Sequence, residues 1–104
     1  MKTTNDVRQA NGTALQGYCR QGTTYQQLVD LFDEPIQTPD GYKSDAEWII
    51  EFDDGQIATI YNYKNGINYL GDEGTPTENI TEWNIGGNNT ESAQRIIDTI
   101  NNQG

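Results

Sequence analysis

Carboxylates are the side chains of this 104-residue sequence that are most able to bind a partner or to do chemistry, and they are concentrated between residues 30 and 54. Nine acids stand there against one base, Lys43, in a chain with net charge −10 and no histidine. The nine are Asp30, Asp33, Glu34, Asp40, Asp45, Glu47, Glu51, Asp53 and Asp54. Neighbouring carboxylates repel one another, so the lack of intervening bases favours a surface that binds a basic partner over one that serves only solubility. The same charge disfavours direct binding to nucleic acid or to an anionic membrane, since both require a basic surface.

Catalysis is weakly supported by these residue types. Without histidine the chain has no Ser-His or Cys-His nucleophile and no imidazole metal ligand. Cys19 has no accompanying base or oxyanion motif and is more typical of a small core residue. Asp53 and Asp54 precede a glycine, but their spacing is typical of a turn and does not fit an EF-hand calcium loop. Glu47 and Glu51 could approach each other for acid–base work, which keeps an enzyme as the weaker alternative. We therefore expect no catalytic residue, no metal and no cofactor.

Length and patterning predict a single folded domain over residues 13–104, preceded by a flexible N-terminal arm over residues 1–12 that has little to bury. The single cysteine excludes an intrachain disulfide and favours a reducing compartment. We find no apolar stretch of signal-peptide or transmembrane length, so a cytoplasmic protein that does not enter membranes is expected.

Two helices are predicted by apolar residues at i, i+3, i+4 and i+7. The first covers TTYQQLVDLFDEP, begins with a capping box from Thr24 to Gln27 and ends before Pro35. The second covers NNTESAQRIIDTINN, where Asn88 or Thr90 is the expected N-cap.

The remaining elements are strands and loops. Residues 13–19 alternate around Gly17 and predict a short edge strand. Residues 80–85, ITEWNI, predict another strand, which the following Gly-Gly pair stops. Residues 65–79 predict a long loop in which INYL is a short extended piece, and long ordered loops are often functional.

The stretch AEWIIEFDDGQIATIYNYK, residues 46–64, predicts a hairpin whose two-residue turn is Asp54-Gly55. This turn pairs Phe52 with Ile57, Ile50 with Thr59 and Trp48 with Tyr61. The face that carries Trp48, Ile50, Phe52, Ile57 and Tyr61 is then the core face. The other, partly wet face carries Glu47, Ile49, Glu51 and Asp53 alongside Ala58, Ile60 and Asn62. A slip of one residue would exchange the faces, so the turn decides which side chains point outward.

Together these elements predict an α+β fold of order β-α-β-β-β-α, with a three- to four-stranded antiparallel sheet and two helices packed on one face. If apolar side chains of the other face stay partly exposed, a homodimer could cover them. Tyr61, Tyr63, Tyr69 and Trp83 could instead line a small-ligand pocket, although such aromatic residues are more often core.

Four stretches of the sequence resemble a widespread family of small proteins carried by bacteriophages and mobile elements. They are LQGY, TYQQLVDLFDEP, DGYKSDAEWIIEFDDGQIATIYNYKNGINYLGDEGTP and ITEWNIGG, within residues 15–87. The sequence departs from the family pattern at Asp33, where a glycine usually precedes Glu-Pro, and at Asn84, where a histidine often follows the tryptophan. Any family activity that needs this histidine is therefore not expected here.

Small acidic phage-borne domains are also the typical form of inhibitors of bacterial defence systems, including anti-CRISPR proteins. The resemblance thus implies an inhibitor that acts in the host bacterial cytoplasm on a Cas effector or another defence nuclease. Its carboxylates would mimic nucleic acid, because side chains on one strand face recur every ~7 Å, near the phosphate spacing of a nucleic-acid strand. The expected contacts with this basic protein surface are Asp45, Glu47, Glu51, Asp53 and Asp54, supported by Asp30, Asp33, Glu34 and Asp40 and extended by Asp72 and Glu73. The alternatives are a structural or assembly module that self-associates through the sheet or the 65–79 loop, and a small-ligand-binding domain.

Overall fold

The apolar periodicities assemble into one antiparallel sheet with helices against it, in a computed structural model that describes residues 2–4, 12–37 and 44–102. The strands of the described residues are β1 (Lys2–Thr4), β2 (Ala14–Tyr18), β3 (Ile36–Gln37), β4 (Ala46–Glu51), β5 (Ile57–Tyr61) and β6 (Asn84–Gly87). The helices are α1 (Tyr25–Phe32), the single turn α2 (Ile67–Leu70) and α3 (Thr90–Asn101), with 3-10 turns at Gly71–Glu73 and Thr77–Asn79. The predicted α+β class is confirmed, and the structure adds short elements to it.

The strand order across the sheet is β1-β4-β5-β6-β2, and every pairing is antiparallel. Strand β3 also pairs with β4, so β1 and β3 follow one another along the same side of that strand. Strand β2 lies at the opposite edge, as Gly17 predicts, and its pairing is irregular between Leu15 and Gly17. The central strands β4, β5 and β6 therefore hold the core.

The hairpin register differs by one residue from the prediction. Trp48 pairs with Ile60 and Glu47 with Tyr61. The cause is a three-residue loop: the Phe52 amide bonds to the Gln56 carbonyl at 2.9 Å, and the third loop residue is a glycine with φ 87°. A turn that ends in a left-handed glycine is the usual three-residue hairpin and adds one residue to the connection.

This register corrects the predicted core face. Ile57 and Tyr61 lie on the same face as Glu47, whereas Ala58 and Ile60 join Trp48 in the core. Glu47 and Glu51 stay on the face away from the core, as predicted, but their cross-strand neighbours are Tyr61 and Ile57.

The core lies between one sheet face and the helices α1 and α3, and two tryptophans fill its centre. The rings of Trp48 and Trp83 meet edge to face with centroids 5.3 Å apart. Their indole N–H groups donate to carbonyl oxygens, Trp48 to Asp33 at 2.7 Å and Trp83 to Thr23 at 3.1 Å, so both buried donors are satisfied. Cys19 belongs to this core, as predicted.

Helix capping follows local sequence closely. The Thr24 hydroxyl accepts from the Gln27 amide at 3.1 Å and the Gln27 side chain accepts from the Thr24 amide at 2.8 Å, which confirms the capping box. The N-cap of α3 is Asn89, the residue between the two predicted candidates. Asn88 instead accepts from the Ile57 amide at 2.6 Å and fastens the start of β5.

Three predicted segments are corrected. Residues 80–83 are not a strand, and β6 begins at Asn84 and runs through both glycines. These glycines are needed because a Cβ at Gly86 would lie 2.6 Å from the Thr59 hydroxyl oxygen. The INYL stretch forms the helical turn α2 rather than an extended piece.

Three residues of the predicted arm belong to the sheet. Lys2–Thr4 forms β1 against β4, and the Thr3 hydroxyl donates to the Phe32 carbonyl at 2.6 Å. The other residues of the predicted arm before Gly12 lie outside the described residues. No helix in the described part of the chain is long and apolar enough to cross a membrane.

Candidate functional site

The predicted contact acids of the hairpin do not form one outward row. Asp53 and Asp54 are exposed at the turn, whereas Glu47 and Glu51 are half-buried on the strand face away from the core. Glu47 lies near the start of β4 and Asp53 in the loop after its end, six residues and at most about 20 Å along the chain. Glu51 and Asp53 each interact with other groups of the molecule.

Asp54 is neutralised by the protein's own arginine. The Arg95 guanidinium donates to both Asp54 carboxylate oxygens, at 3.0 and 2.7 Å, and to Glu91 at 3.2 Å. It also lies 5.0 Å from the centroid of the Phe52 ring. The hydrogen bonds from Arg95 hold the pKa of Asp54 below its usual value. This contact ties the hairpin turn to α3.

Asp45 is placed inside the molecule, which corrects its prediction as an outward contact. Only 8% of the residue is exposed. Its Oδ1 accepts from the Asn62 side chain at 2.9 Å and its Oδ2 accepts from the Asn68 backbone amide at 3.1 Å. The carboxylate therefore holds residues 62–68 against the start of β4.

Asn62 is the centre of this network and was not identified from the sequence. It is fully buried, and its Oδ1 accepts from the backbone amides of Asp45 and Ala46 at 2.8 and 3.1 Å. Its Nδ2 also donates to Asn65 at 3.1 Å. Gly66 completes the arrangement, because a Cβ there would lie 1.9 Å from the Asp45 Oδ1. The recurrence of asparagine at positions 62, 65 and 68 is the signal that could have indicated it.

The remaining predicted acids that the structure describes lie in or directly after helix α1, or in the turn Gly71–Glu73. Glu34 and Glu78 both approach Tyr25, where burial raises the tyrosine pKa and the Glu34 carboxylate adds to it. Helix α1 packs against the turn Thr77–Asn79. We call the exposed carboxylates that follow α1 or lie within residues 71–82 the acidic end: Asp33, Glu34, Asp72, Glu73, Glu78 and Glu82. Asp40 lies outside the described residues.

Within residues 2–4, 12–37 and 44–102, no ion pair involves a carboxylate of the acidic end. The nearest base in sequence, Lys64, has its Nζ 5.2 Å from the centroid of the Tyr63 ring and 5.7 Å from that of Tyr69. The negative charge of this region is thus left uncompensated in the part of the protein that the structure describes.

A cavity of about 330 Å³ opens on the sheet face away from the core. Its lining includes Ala14, Leu15, Glu47, Thr59, Tyr61 and Tyr63. Burial raises the pKa of Glu47. Burial also raises the pKa of Tyr61, and the charge of Glu47, its cross-strand neighbour, adds to this shift while a hydrogen bond with Asn84 opposes it.

The predicted aromatic pocket is therefore formed in part. Tyr61 and Tyr63 line the cavity, whereas Trp83 is a core residue with 2% exposure and Tyr69 is not in the lining. No group of three or more acidic or cysteine side chains among the described residues is arranged to hold a metal ion.

Comparison with protein-family models, with curated proteins and with solved structures finds no match to this chain. The acidic end and the cavity are therefore the two features of the described residues that bear on function.

Proposed function

We propose that this protein inhibits a nuclease of a bacterial defence system, a CRISPR effector being the leading candidate, by binding its basic nucleic-acid-binding surface. The observation that carries the proposal is the acidic end, whose carboxylates are exposed and have no ion pair in the described part of the chain. Such a surface attracts a groove lined by Arg and Lys, and binding releases the repulsion among its own charges.

The acids that stabilise the fold are distinct from the acids that are left for a partner. Asp45 and Asp54 are engaged by Asn62 and Arg95 inside the molecule. Of the acidic end, only Glu34 forms a side-chain contact of this kind in the described structure, a hydrogen bond with Tyr25, so we assign the partner contacts to this group of acids. Glu47, Glu51 and Asp53 remain proposed contacts at the margin.

The class of target is supported by the resemblance to small phage-borne proteins in residues 15–87. Proteins of that kind meet defence nucleases inside the bacterial cell, and these nucleases hold phosphates with basic grooves. A carboxylate surface that pairs with the same Arg and Lys side chains would compete with the nucleic acid.

A panel of purified Cas effectors, assayed for DNA binding and cleavage, tests the proposal. We expect inhibition of at least one effector, weakened about tenfold or more by Glu73→Lys combined with Glu78→Lys and weakened steeply by added salt. The matched control is Gln94→Lys combined with Asp98→Lys and Glu91→Gln, which makes the same change of net charge on the exposed face of α3.

Failure of every effector to be inhibited contradicts the proposal. Equal loss of inhibition in the α3 control would show that net charge alone, rather than the acidic end, is responsible. Thermal unfolding of each variant verifies that the fold is retained, and these exposed positions should change stability by less than about 0.5 kcal/mol each.

Self-association is the alternative that one observation favours. Leu15 and Tyr18 on the edge strand β2 are 49% and 62% exposed. No described strand pairs with the outer edge of β2, and such an edge with exposed apolar side chains can pair with a second copy, although the strong net charge opposes this. Sedimentation velocity across concentration separates the alternatives, since a stable dimer that forms through β2 indicates an assembly role.

A further inference from the structure

We propose that the cavity beside Glu47 binds a cationic group on an alkyl stem, an alkylammonium or a guanidinium, through the Glu47 carboxylate and the rings of Tyr61 and Tyr63. The inference does not rest on the acidic end, which carries the inhibitor proposal, because none of these three residues belongs to it; Glu47 is only an additional contact in that proposal.

The cavity has the size and composition of a ligand site. Its volume, about 330 Å³, is at the lower end of the range for small-molecule pockets, which begins at roughly 300 Å³. Ala14 and Leu15 give it an apolar wall suited to an alkyl stem. Leu15 and Tyr63 are 49% and 44% exposed, so large apolar side chains remain in contact with solvent at this site.

The glycine in the lining helps to create the space. A side chain at Gly86 would meet the Thr59 hydroxyl oxygen at 2.6 Å and the Tyr61 ring at 3.6 Å. Strand β6 therefore leaves room between β2 and β5 on this face, which a residue with a Cβ would fill.

The carboxylate in the cavity determines the charge of the ligand. Glu47 is half-buried and forms no ion pair with any residue of the described ranges. Removing a carboxylate from water is unfavourable, and burial raises the pKa of Glu47 accordingly. A cation would offset this cost, whereas an anion would add repulsion and a neutral ligand would leave the charge unbalanced.

The aromatic residues favour the same ligand. A cation is attracted to the face of a tyrosine ring, and the attraction is larger where water is excluded. Lys64 places its Nζ 5.2 Å from the Tyr63 ring centroid, so the protein itself already forms a cation–ring contact at this residue. Among the described residues, the titratable groups near the carboxylate are Tyr61 across the strand pair and Tyr18 and Tyr63 beside Tyr61.

Two kinds of ligand would present such a cation to the cavity: a free organic cation, or a Lys or Arg side chain of another protein. Butylammonium and butylguanidinium chlorides are the direct probes, and acetyl-Gly-Arg-Gly-amide represents the side chain. Chemical-shift titration of backbone amides measures all three, with sodium butyrate as the anionic control. Tighter binding of the peptide assigns a protein side chain, and tighter binding of a simple cation assigns a free ligand.

We expect saturable shifts at residues 47, 59, 61 and 86, and none with butyrate. Glu47→Gln should weaken cation binding tenfold or more, whereas Glu51→Gln, on the same face of β4 but outside the lining, should leave it unchanged. Binding to the wild type should weaken as the pH falls through the raised pKa of Glu47, because protonation removes the charge. Leu15→Trp, at an exposed position of the lining, should also reduce binding by filling space.

Absence of saturable shifts with every cation overturns the proposal. Equal affinity in Glu47→Gln, in a variant whose amide spectrum shows a folded protein, overturns it as well. Because the Glu73→Lys and Glu78→Lys changes lie outside the cavity lining, loss of nuclease inhibition in those variants would leave cation binding intact.

Discussion

Replacement of Asn62 by alanine should be among the most destabilising single changes in this protein. The side chain is fully buried, and it bonds the backbone amides of Asp45 and Ala46 at 2.8 and 3.1 Å. It also donates to the Asp45 carboxylate at 2.9 Å and to Asn65 at 3.1 Å. Alanine removes all four bonds and leaves their partners behind.

The expected loss of stability follows from the buried groups that lose their hydrogen-bond partner. Each buried polar group left unsatisfied costs about 1–3 kcal/mol, and a carboxylate oxygen costs more than an amide. Two amides and one carboxylate oxygen then give about 3–5 kcal/mol, with some recovery if water enters the vacated space. This is a large part of the 5–15 kcal/mol that holds a typical domain together, and it should lower the melting temperature by roughly 12 °C or more.

Urea unfolding followed by tryptophan fluorescence measures the effect, because Trp48 and Trp83 are both buried in the core. The matched control is Asn101→Ala, at an exposed position near the end of α3, which should change stability by less than about 0.5 kcal/mol. If the free energy of unfolding of Asn62→Ala lies within about 1 kcal/mol of that of the wild type, the buried network does not hold residues 62–68 against the start of β4.

Three further changes test other parts of the structure. Gly55→Ala should lower the free energy of unfolding, measured in urea, by about 1–2 kcal/mol. The cost comes from the left-handed backbone, φ 87°, and not from a clash, since no atom lies within 4 Å of the new Cβ. A wild-type midpoint would contradict the three-residue loop. Burial raises the pKa of Glu47, so the folded state binds its proton more tightly, and this group's contribution to stability falls as pH rises from the unfolded to the folded pKa. The stability of Glu47→Gln relative to the wild type should therefore be higher at neutral pH than at about pH 3, where residue 47 is uncharged in both proteins. An equal stability difference at the two pH values would contradict the raised pKa of Glu47. Burial raises the pKa of the Cys19 thiol to about 12, so a chromogenic disulfide reagent should leave it unmodified in the native protein and react fully in urea, whereas rapid native labelling would place it at the surface.

The elements that the sequence predicts well are those decided by local interactions. The α1 capping box needs only Thr24 and Gln27, three residues apart, and both of its hydrogen bonds form. The apolar stripe of α3 likewise depends on side chains within one helix, and Ala93, Ile96 and Ile100 are buried as expected. The position of β2 at an edge follows from Gly17 in the same local sense.

The hairpin register depends on a choice that the sequence leaves open. The residues Asp53, Asp54 and Gly55 suit both a two-residue turn and a three-residue loop, since each uses a glycine in the left-handed region. The structure adopts the longer loop, and Arg95 holds Asp54 from α3. This partner lies 41 residues along the chain, beyond the reach of local pattern. A difference of one residue moved Tyr61 from the predicted core to the wall of a cavity.

The fate of each carboxylate explains why charge along the sequence is a poor guide to a binding surface. Net charge counts Asp45, Asp54 and Asp72 equally, yet the first is buried against Asn62 and the second is paired with Arg95. Only the third is exposed with no ion pair in the described part of the chain. A carboxylate that stabilises the fold would lose that stabilisation on turning to a partner, so its contribution to affinity is reduced by the contacts it must give up. The acids without such contacts can bind at no cost to the fold, which is why Asp45 and Asp54 are less suitable contacts than the acidic end.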